Sequence, residues 1–438
     1  MSTPSSRIAL ICLHTSPLAE PGRADAGGMN VVVQRWSHQL ADLGFTVDLF
    51  TRRAEPDSPR TREVRAGVWL HQLDAGPPGP LAKSDMEAAI KPFAVELRAA
   101  FSTRGPDLVH SHHWFSGVAA LPIAQDLGVP HVQSFHSVAA PANAASLAAG
   151  ETSESPGRIA GERYVAGASD LVIAVSRAEA ATISERYDVD PARMRVVRPG
   201  VGTTFFHPRN DDPCLHGPDQ RERNAADRDE TGPRDSARSS RGEGSEAHRS
   251  GDGSPAPYLL FAARLQPLKG ADLALEAFAL ITERRPRLRL AIAGAASDDF
   301  GNYPEELYAR VEELGLTGRV DFLGAVSRSR LADLMRGAEL FLLPSWSETF
   351  GLVALESQAS GVPVIGWRGA GGLPEAVAPT GVLLTSREPA AWAQAVEAFL
   401  SDPARLCTAR ADARAFALTQ SWQASGNALA AVYREVLS

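Results

Sequence analysis

Three stretches of this chain combine residue types that can handle a polar, phosphorylated ligand. In Ala263-Arg-Leu-Gln-Pro-Leu-Lys-Gly270, Arg264 stands five positions before Lys269. An arginine offers a planar fork to phosphate oxygens and a lysine a point charge, so the pair suits a diphosphate. Two solvated surface cations would give the same pattern. In Pro344-Ser-Trp-Ser-Glu-Thr-Phe-Gly-Leu-Val-Ala-Leu-Glu356, Glu348 and Glu356 lie eight residues apart. At ~100° per residue a helix begun at the first would put both carboxylates on adjoining faces, able to accept hydrogen bonds from sugar or ribose hydroxyls. A lone pair of glutamates would ordinarily be surface decoration, but the apolar run Phe350–Leu355 predicts that this helix is largely buried.

The third stretch runs from His14 to Asn30 (HTSPLAEPGRADAGGMN), after one apolar run and at the head of a helical pattern. Gly27 and Gly28 let backbone N–H groups approach a ligand, and a helix start favours an anion; a tight strand-to-helix turn explains the glycines equally well. Downstream, Gly369-Ala-Gly-Gly-Leu-Pro-Glu375 has the wrong spacing for a dinucleotide fingerprint and reads as a backbone cradle near a polar ligand. His136 ends another apolar run, where a core histidine bonded to backbone is the alternative to a site residue. His112 and His113 suggest metal ligation, but no third ligand follows at a suitable spacing, so no metal centre is expected. Asp188-Val-Asp190 precedes a proline in a turn, and Asp227-Arg-Asp229 lies in a charged, apolar-poor segment. Neither reads as a metal-nucleotide clamp, and Mg2+ has no supporting motif.

The elements that must position these residues alternate along the chain. Short runs rich in Val, Ile and Leu predict strands at Arg7–Leu13, Phe45–Thr51, Val68–Leu73, Asp107–Ser111, His131–Phe135 and Asp170–Ser176, with helices at Met29–Leu43, Asp85–Phe101 and Arg177–Tyr187 between them. The alternation restarts with strands at Tyr258–Ala263, Leu288–Ala293, Val320–Leu323, Leu340–Pro344, Pro363–Gly366 and Val382–Thr385. Strands buried on both faces and alternating with helices indicate an α/β protein with two doubly wound parallel sheets facing a central cleft. The divisions are an N-terminal Rossmann-like domain over 1–208, a charged insertion over 209–257, a C-terminal Rossmann-like domain over 258–418, and a final helix over 419–438 crossing back to the first domain. The insertion carries almost no large apolar side chains, so it reads as a disordered, solvated linker.

Composition narrows the function classes. The 438 residues are 44% hydrophobic with a net charge of -8, which speaks against a nucleic-acid surface while leaving room for a local basic pocket. No run of ~20 apolar residues or signal-peptide pattern is present, so a cytoplasmic protein without membrane insertion is expected. Cys12, Cys214 and Cys407 are odd in number and far apart, which points away from a disulfide framework and from a cysteine zinc site.

Taken together, Arg264 with Lys269, the Glu348/Glu356 element within PSWSETFGLVALESQASGVPVI, the early Gly-Gly turn, and HSHHWFSG resemble the retaining family-4 glycosyltransferases of the two-Rossmann GT-B fold. The resemblance spans nearly the whole chain outside the insertion and is strongest to members that move N-acetylglucosamine from a UDP donor onto inositol 3-phosphate at the start of mycothiol synthesis. It implies a UDP-sugar donor, a phosphorylated small-molecule acceptor and no required cofactor, and leaves a homodimer open. Carried over by motif, Arg264 and Lys269 would hold the donor diphosphate, Glu356 the ribose, Glu348 the hexose and the backbone at Val326 the uracil, with Glu20, Pro21 and Gly28 also at the donor. His14, Asp25, Ala26, Gly27, Gly28, Met29, Asn30, His113, Ser134 and His136 would line the reacting sugar and the acceptor, and Lys83 and Arg158 would bind the acceptor's phosphate. His136, Arg264, Lys269 and Glu348 would carry the chemistry. His113, Gln133 and Ala142 depart from the family's usual tyrosine, histidine and lysine, so the acceptor pocket is where this chain differs. Relatives with other acceptors include sucrose-phosphate synthases and mannosyltransferases. A UDP-sugar 2-epimerase or a non-catalytic nucleotide-sugar binder would share the architecture.

Overall fold

The computed structural model describes residues 6–20, 26–77, 79–81, 83–140, 155–215, 256–296 and 300–438. Its first half holds β1 (Arg7–Cys12), α1 (Gly28–Asp42), β2 (Thr46–Arg52), β3 (Thr61–Arg65), β4 (Val68–Leu73), α2 (Ile90–Thr103), β5 (Leu108–His112), α3 (Trp114–Leu127), β6 (His131–Ser134), α4 (Pro156–Ala168), β7 (Leu171–Ala174), α5 (Arg177–Tyr187) and β8 (Met194–Val196). The strands form one eight-stranded sheet in the order β3-β4-β2-β1-β5-β6-β7-β8, in which only the β3–β4 edge is antiparallel. β1, β5, β6 and β7 are buried almost throughout, as strands covered by helices on both faces must be.

The second half contains β9 (Tyr258–Ala262), α6 (Ala271–Ala279), β10 (Arg289–Ala293), α7 (Tyr303–Glu313), β11 (Val320–Gly324), α8 (Arg328–Gly337), β12 (Leu340–Leu343), α9 (Leu352–Ala359), β13 (Val364–Trp367), α10 (Leu373–Ala376), β14 (Val382–Leu384), α11 (Pro389–Leu400), α12 (Pro403–Thr419) and α13 (Trp422–Val436). The sheet order is β11-β10-β9-β12-β13-β14, all parallel. In both sheets the order reverses beside the first strand, between β1 and β5 and between β9 and β12. Such reversals open a crevice at the carboxyl ends of the strands.

The helices start where the sequence supplies caps. Ser155, Ser176, Ser327, Asp402 and Ser421 each accept a backbone N–H of the first turn behind them. The last helix, α13, lies back on the first sheet. Its Tyr433 hydroxyl is 2.6 Å from His110 Nδ1, and its Ser425 hydroxyl accepts from the Trp36 indole N–H at 2.8 Å. Two completely buried rings, Trp36 and Tyr433, thus tie the C-terminus to the floor of the first domain.

Three observations depart from the sequence reading. β3 and β8 and the helices α3 and α4 join the alternation in the first domain, and the expected Asp85–Phe101 helix divides into a 3-10 turn over Lys83–Ala89 followed by α2. Residues 209–215, assigned above to the insertion, are folded: Asp212 is buried against Arg410 at 3.4 Å, and Leu215 fills the space where Gly361 has no side chain. Most of the insertion, including Asp227 and Asp229, falls outside the described residues. Docking of that first stretch also overturns the cysteine expectation, because Cys214 and Cys407 are disulfide-bonded across 193 residues with Cα atoms 4.8 Å apart. Cys12 is free and buried, and burial pushes its thiol pKa up.

Candidate active site

A cavity of ≈520 Å3 opens between the carboxyl ends of the two sheets. Its second-domain wall begins at the end of β9, where the chain leaves the sheet through Arg264 and a 3-10 turn over Pro267–Lys269. Gly270 closes that turn at φ 74°, and a Cβ there would lie 2.6 Å from the Pro344 carbonyl, so only glycine lets the turn pack against the end of β12. The Leu268 carbonyl accepts from Trp346 N–H at 2.8 Å, fixing the β12 loop to the same turn. As a result Lys269 Nζ donates to Glu348 Oε1 at 2.7 Å, with each side chain less than a fifth exposed. The ammonium and carboxylate stand at the cavity wall in a partly dehydrated setting, where their field acts more strongly on a bound ligand than in open water.

Glu356 sits on α9, buried, and accepts from Arg328 Nη2 at 2.6 Å. Arg328 opens α8 and lies over the Phe206 ring at 4.9 Å. Both residues and Val326 line the cavity. Helix α9 begins only at Leu352, so Glu348 reaches the cavity from a loop and Glu356 from the helix itself. Gly369–Glu375 is also built differently from the expected ligand cradle. Gly372 N–H donates to the Glu348 carbonyl at 2.8 Å, and Glu375 bridges the domains, accepting from Arg177 N–H at 2.6 Å and Arg198 Nη2 at 2.6 Å. The loop braces Glu348 and latches α5 to the second domain.

From the first domain, Ala26, Gly27, Gly28, Met29, His136 and Arg158 line the same cavity. A Cβ on Gly28 would already touch Leu352 at 3.4 Å, so the two domains approach closely at this glycine. Asn30 is buried; its Oδ1 accepts from Gly27 N–H at 2.9 Å while its Nδ2 donates to Ser16 O and Thr15 Oγ1 at 2.7 and 3.0 Å. Its amide holds the glycine turn in shape. His136 adopts φ 59° and its carbonyl accepts from Thr349 Oγ1 across the cleft at 2.8 Å. Burial lowers the His136 pKa to about 3, so the ring is neutral at neutral pH.

Arg158 is buried on α4, with Nε donating to Glu162 Oε1 at 2.7 Å and Nη2 to Ser137 at 3.2 Å. His14 packs its ring 4.4 Å from that of His113, which stands just ahead of α3 at φ 69°. Ser134 is buried behind these, its hydroxyl donating to Ile173 O and facing His110 Nε2, both at 2.9 Å. Glu20 is exposed, Pro21 and Asp25 fall outside the described residues, and Lys83 lies in the turn before α2 with its side chain outside them. Sequence reasoning did not single out Arg328, Thr349 or Glu375 as structural partners of the site; only Ser327, an N-cap type before a helical pattern, signalled where Arg328 would stand. No group of three or more His, Cys, Asp or Glu side chains among the described residues could hold a metal ion. No helix there is long and apolar enough to cross a membrane.

Comparison with known proteins places this geometry. Residues 26–205 match the family described as Glycosyltransferase Family 4, and residues 246–416 match Glycosyl transferases group 1. The D-inositol 3-phosphate glycosyltransferase of Streptomyces griseus is 38% identical over 99% of this chain and 89% of its own length. That of Kineococcus radiotolerans is 36% identical over 100% of this chain and 97% of its own. Among solved structures, a sucrose-phosphate synthase from Thermosynechococcus elongatus superimposes with a TM-score of 0.80 at 26% identity, covering 98% of this chain and 99% of that one. Anabaena HepE in complex with UDP-glucose shares the fold at a TM-score of 0.68 and 17% identity, covering 98% and 99%.

Proposed function

The chain belongs to the family-4 glycosyltransferases of GT-B fold and is a hexosyltransferase, and from that premise we propose that it moves N-acetylglucosamine from UDP-N-acetylglucosamine to 1D-myo-inositol 3-phosphate with retained configuration. The observation that carries the reading is the two-sided cavity: Arg264, Lys269, Glu348 and Glu356 on one wall face Gly27, Gly28, His136 and Arg158 on the other. A diphosphate on Arg264 and Lys269 sets the anomeric carbon toward the first domain, with Glu348 at the hexose, Glu356 at the ribose and the Val326 backbone at the uracil. The names of the relatives at 36–38% identity favour an inositol-phosphate acceptor.

In this mechanism the acceptor hydroxyl attacks the anomeric carbon on the face the diphosphate leaves. The bond from that carbon to the acceptor oxygen forms, the bond to the diphosphate oxygen breaks, and the hydroxyl proton passes to the departing diphosphate. Arg264 and Lys269 stabilise the charge that develops there, the largest contribution such a site makes. Interdomain contacts from Thr349 to His136 and from Glu375 to α5 hold the two domains together, and closure of the cleft around the substrates would exclude water, whose attack would hydrolyse the donor. The proposal includes a cytoplasmic location and leaves the oligomeric state open.

The test is an array of UDP-sugars against inositol 3-phosphate, inositol and fructose 6-phosphate, read by mass spectrometry, with the anomer assigned by NMR. The expected product is an α-linked N-acetylglucosaminyl inositol phosphate, with unphosphorylated inositol poorer by about ten- to a hundredfold, the worth of a charge-assisted phosphate contact. Lys83→Ala should raise the apparent KM for inositol 3-phosphate over a similar range and leave the donor KM unchanged. Equal use of inositol would overturn the phosphorylated acceptor. Preference for fructose 6-phosphate would support a sucrose-phosphate-synthase-like activity, and epimerisation of UDP-N-acetylglucosamine alone would identify an epimerase.

A further inference from the structure

His112 has no part in the chemistry above, yet it is wholly buried and aimed at a residue that has. Its Nδ1 lies 2.9 Å from His136 Nε2, and its ring centroid stands 5.1 Å from that of His136. Its other nitrogen, Nε2, is buried without a hydrogen-bond partner. Around the pair pack the Trp36 indole, 6.2 Å from the His112 ring, and His110, 4.1 Å from it. His110 is in turn held by Ser134 and by Tyr433 of the last helix. A fixed chain of rings therefore runs from α13 through β5 to the cavity wall.

Two neutral imidazoles sharing one hydrogen bond have two ways to place their protons. If His136 Nε2 donates, His112 must carry its own proton on Nε2, leaving an N–H buried with no acceptor. If His112 Nδ1 donates, the buried nitrogen is a bare acceptor, the kind of unsatisfied group that native interiors tolerate more readily than an orphaned N–H. The second arrangement puts the proton of His136 on Nδ1.

We propose that His112 is a positioning residue that fixes the ring of His136 in the Nδ1–H tautomer, so that His136 meets the reacting sugar as a hydrogen-bond donor. The inference rests on the proposed placement of His136 at that sugar. It assigns a use to the second histidine of HSHHW and explains why the C-terminal helix reaches under the site: by holding His110, Tyr433 keeps the layer beneath His112 in place.

The experiment uses the full chain labelled with 13C,15N-ring histidine, the His136 signals being assigned by their loss in His136→Gln. Ring carbon and nitrogen shifts should report an Nδ1–H tautomer for His136 in the parent and a mixture in His112→Leu. His112→Asn, whose amide stands close to the position of Nδ1, should restore the parent tautomer. Turnover should fall about tenfold in His112→Leu, the worth of one hydrogen bond, with donor KM unchanged, and recover to within about threefold in His112→Asn. Melting curves of both variants establish that each is folded. An Nε2–H tautomer in the parent, or an unchanged tautomer in folded His112→Leu, overturns the proposal whatever the enzyme proves to transfer. The expected tautomer change in His112→Leu with no effect on turnover would instead overturn the placement of His136 at the sugar.

Discussion

Removing the Lys269 ammonium tests the centre of the proposed mechanism, because its effect should depend on a second residue. Lys269 Nζ and Glu348 Oε1 are 2.7 Å apart and both side chains are mostly buried. With donor bound, Lys269 would offset both the diphosphate and this carboxylate. Lys269→Ala takes away a charge opposite the leaving group, a loss that costs about two to three orders of magnitude in kcat at comparable sites. It also leaves Glu348 facing the diphosphate uncompensated. Two like charges 4 Å apart repel by about 4 kcal/mol at an effective dielectric of 20, and after relaxation and water entry a coupling of about 1–2 kcal/mol is reasonable for neighbouring groups. Glu348→Gln alone keeps the shape, loses only the charge and should cost about tenfold. The double variant should then be about five- to thirtyfold more active than the product of the two single losses predicts. Initial rates of UDP release at saturating acceptor, together with donor KM for all four proteins, complete the cycle. If Lys269→Ala stays within threefold of the parent, or if the two losses simply multiply, Lys269 does not stand between Glu348 and a diphosphate.

Replacing residues 216–255 by a Gly/Ser linker of about ten residues should leave turnover and melting temperature nearly unchanged, since a segment poor in apolar side chains adds little to a core; a large loss of either would show that it docks. Differential alkylation followed by peptide mapping should find Cys214 and Cys407 joined and Cys12 labelled only after unfolding, whereas labelling of all three without reductant would exclude the bond. Cys407→Ser should lower stability by up to about 5 kcal/mol, the chain-entropy value for so long a loop, read from denaturant unfolding. On acidification the protein should lose stability. His110, His112, His131 and His136 all have pKa values pushed below 6.5 by burial, to about 3 for the last two, so the unfolded chain binds protons first and stability falls as pH drops from about 6.5 toward 3. Glu179 works the other way: burial raises its carboxyl to about 8, and its contribution is lost as pH rises from about 4.5 to 8. Four histidines outweigh one carboxyl below pH 6.5, so melting temperatures measured from pH 7 to 5 should decline; a rise would mean that these rings are not buried neutral.

Much of the fold was legible because a parallel strand covered on both faces must be apolar along its whole length. β1, β5, β6 and β7, and β9, β10, β12 and β13 in the second sheet, announce themselves in this way. The elements that escaped notice lack that constraint. β3 (Thr61–Arg65) is an exposed antiparallel edge strand whose residues are nearly all polar, so nothing in its pattern separates it from a loop. The α3 helix has the opposite defect, being buried on most sides with Pro122 inside it, so its apolar residues show no 3.6-residue period. Pairing of Cys214 with Cys407 depends on where residues 209–215 dock, and a separation of 193 residues carries no information about that.

The site was legible at the level of loops and much less so at the level of atoms. Residues that follow strands β1, β6, β9 and β12 converge because strand order reverses beside β1 and β9, and a reading of strand and helix alternation already requires such reversals. Which polar atoms at those positions are free for a ligand is a matter of three-dimensional bookkeeping. Asn30 has the right type and place for a ligand contact, yet its amide oxygen and nitrogen are both taken up by the loop it closes. Glu375 likewise ends a glycine-rich loop at the cleft, but its carboxylate joins α5 to the second domain. Glu348 is held by a lysine that a diphosphate would also engage, so the pair can change partners when the donor arrives, whereas Asn30 and Glu375 would have to break the closed structure to do so. The residues able to exchange an internal partner for a ligand are therefore the ones whose substitution should change chemistry more than stability, and that difference is measurable at Lys269 and Glu348 against Asn30 and Glu375.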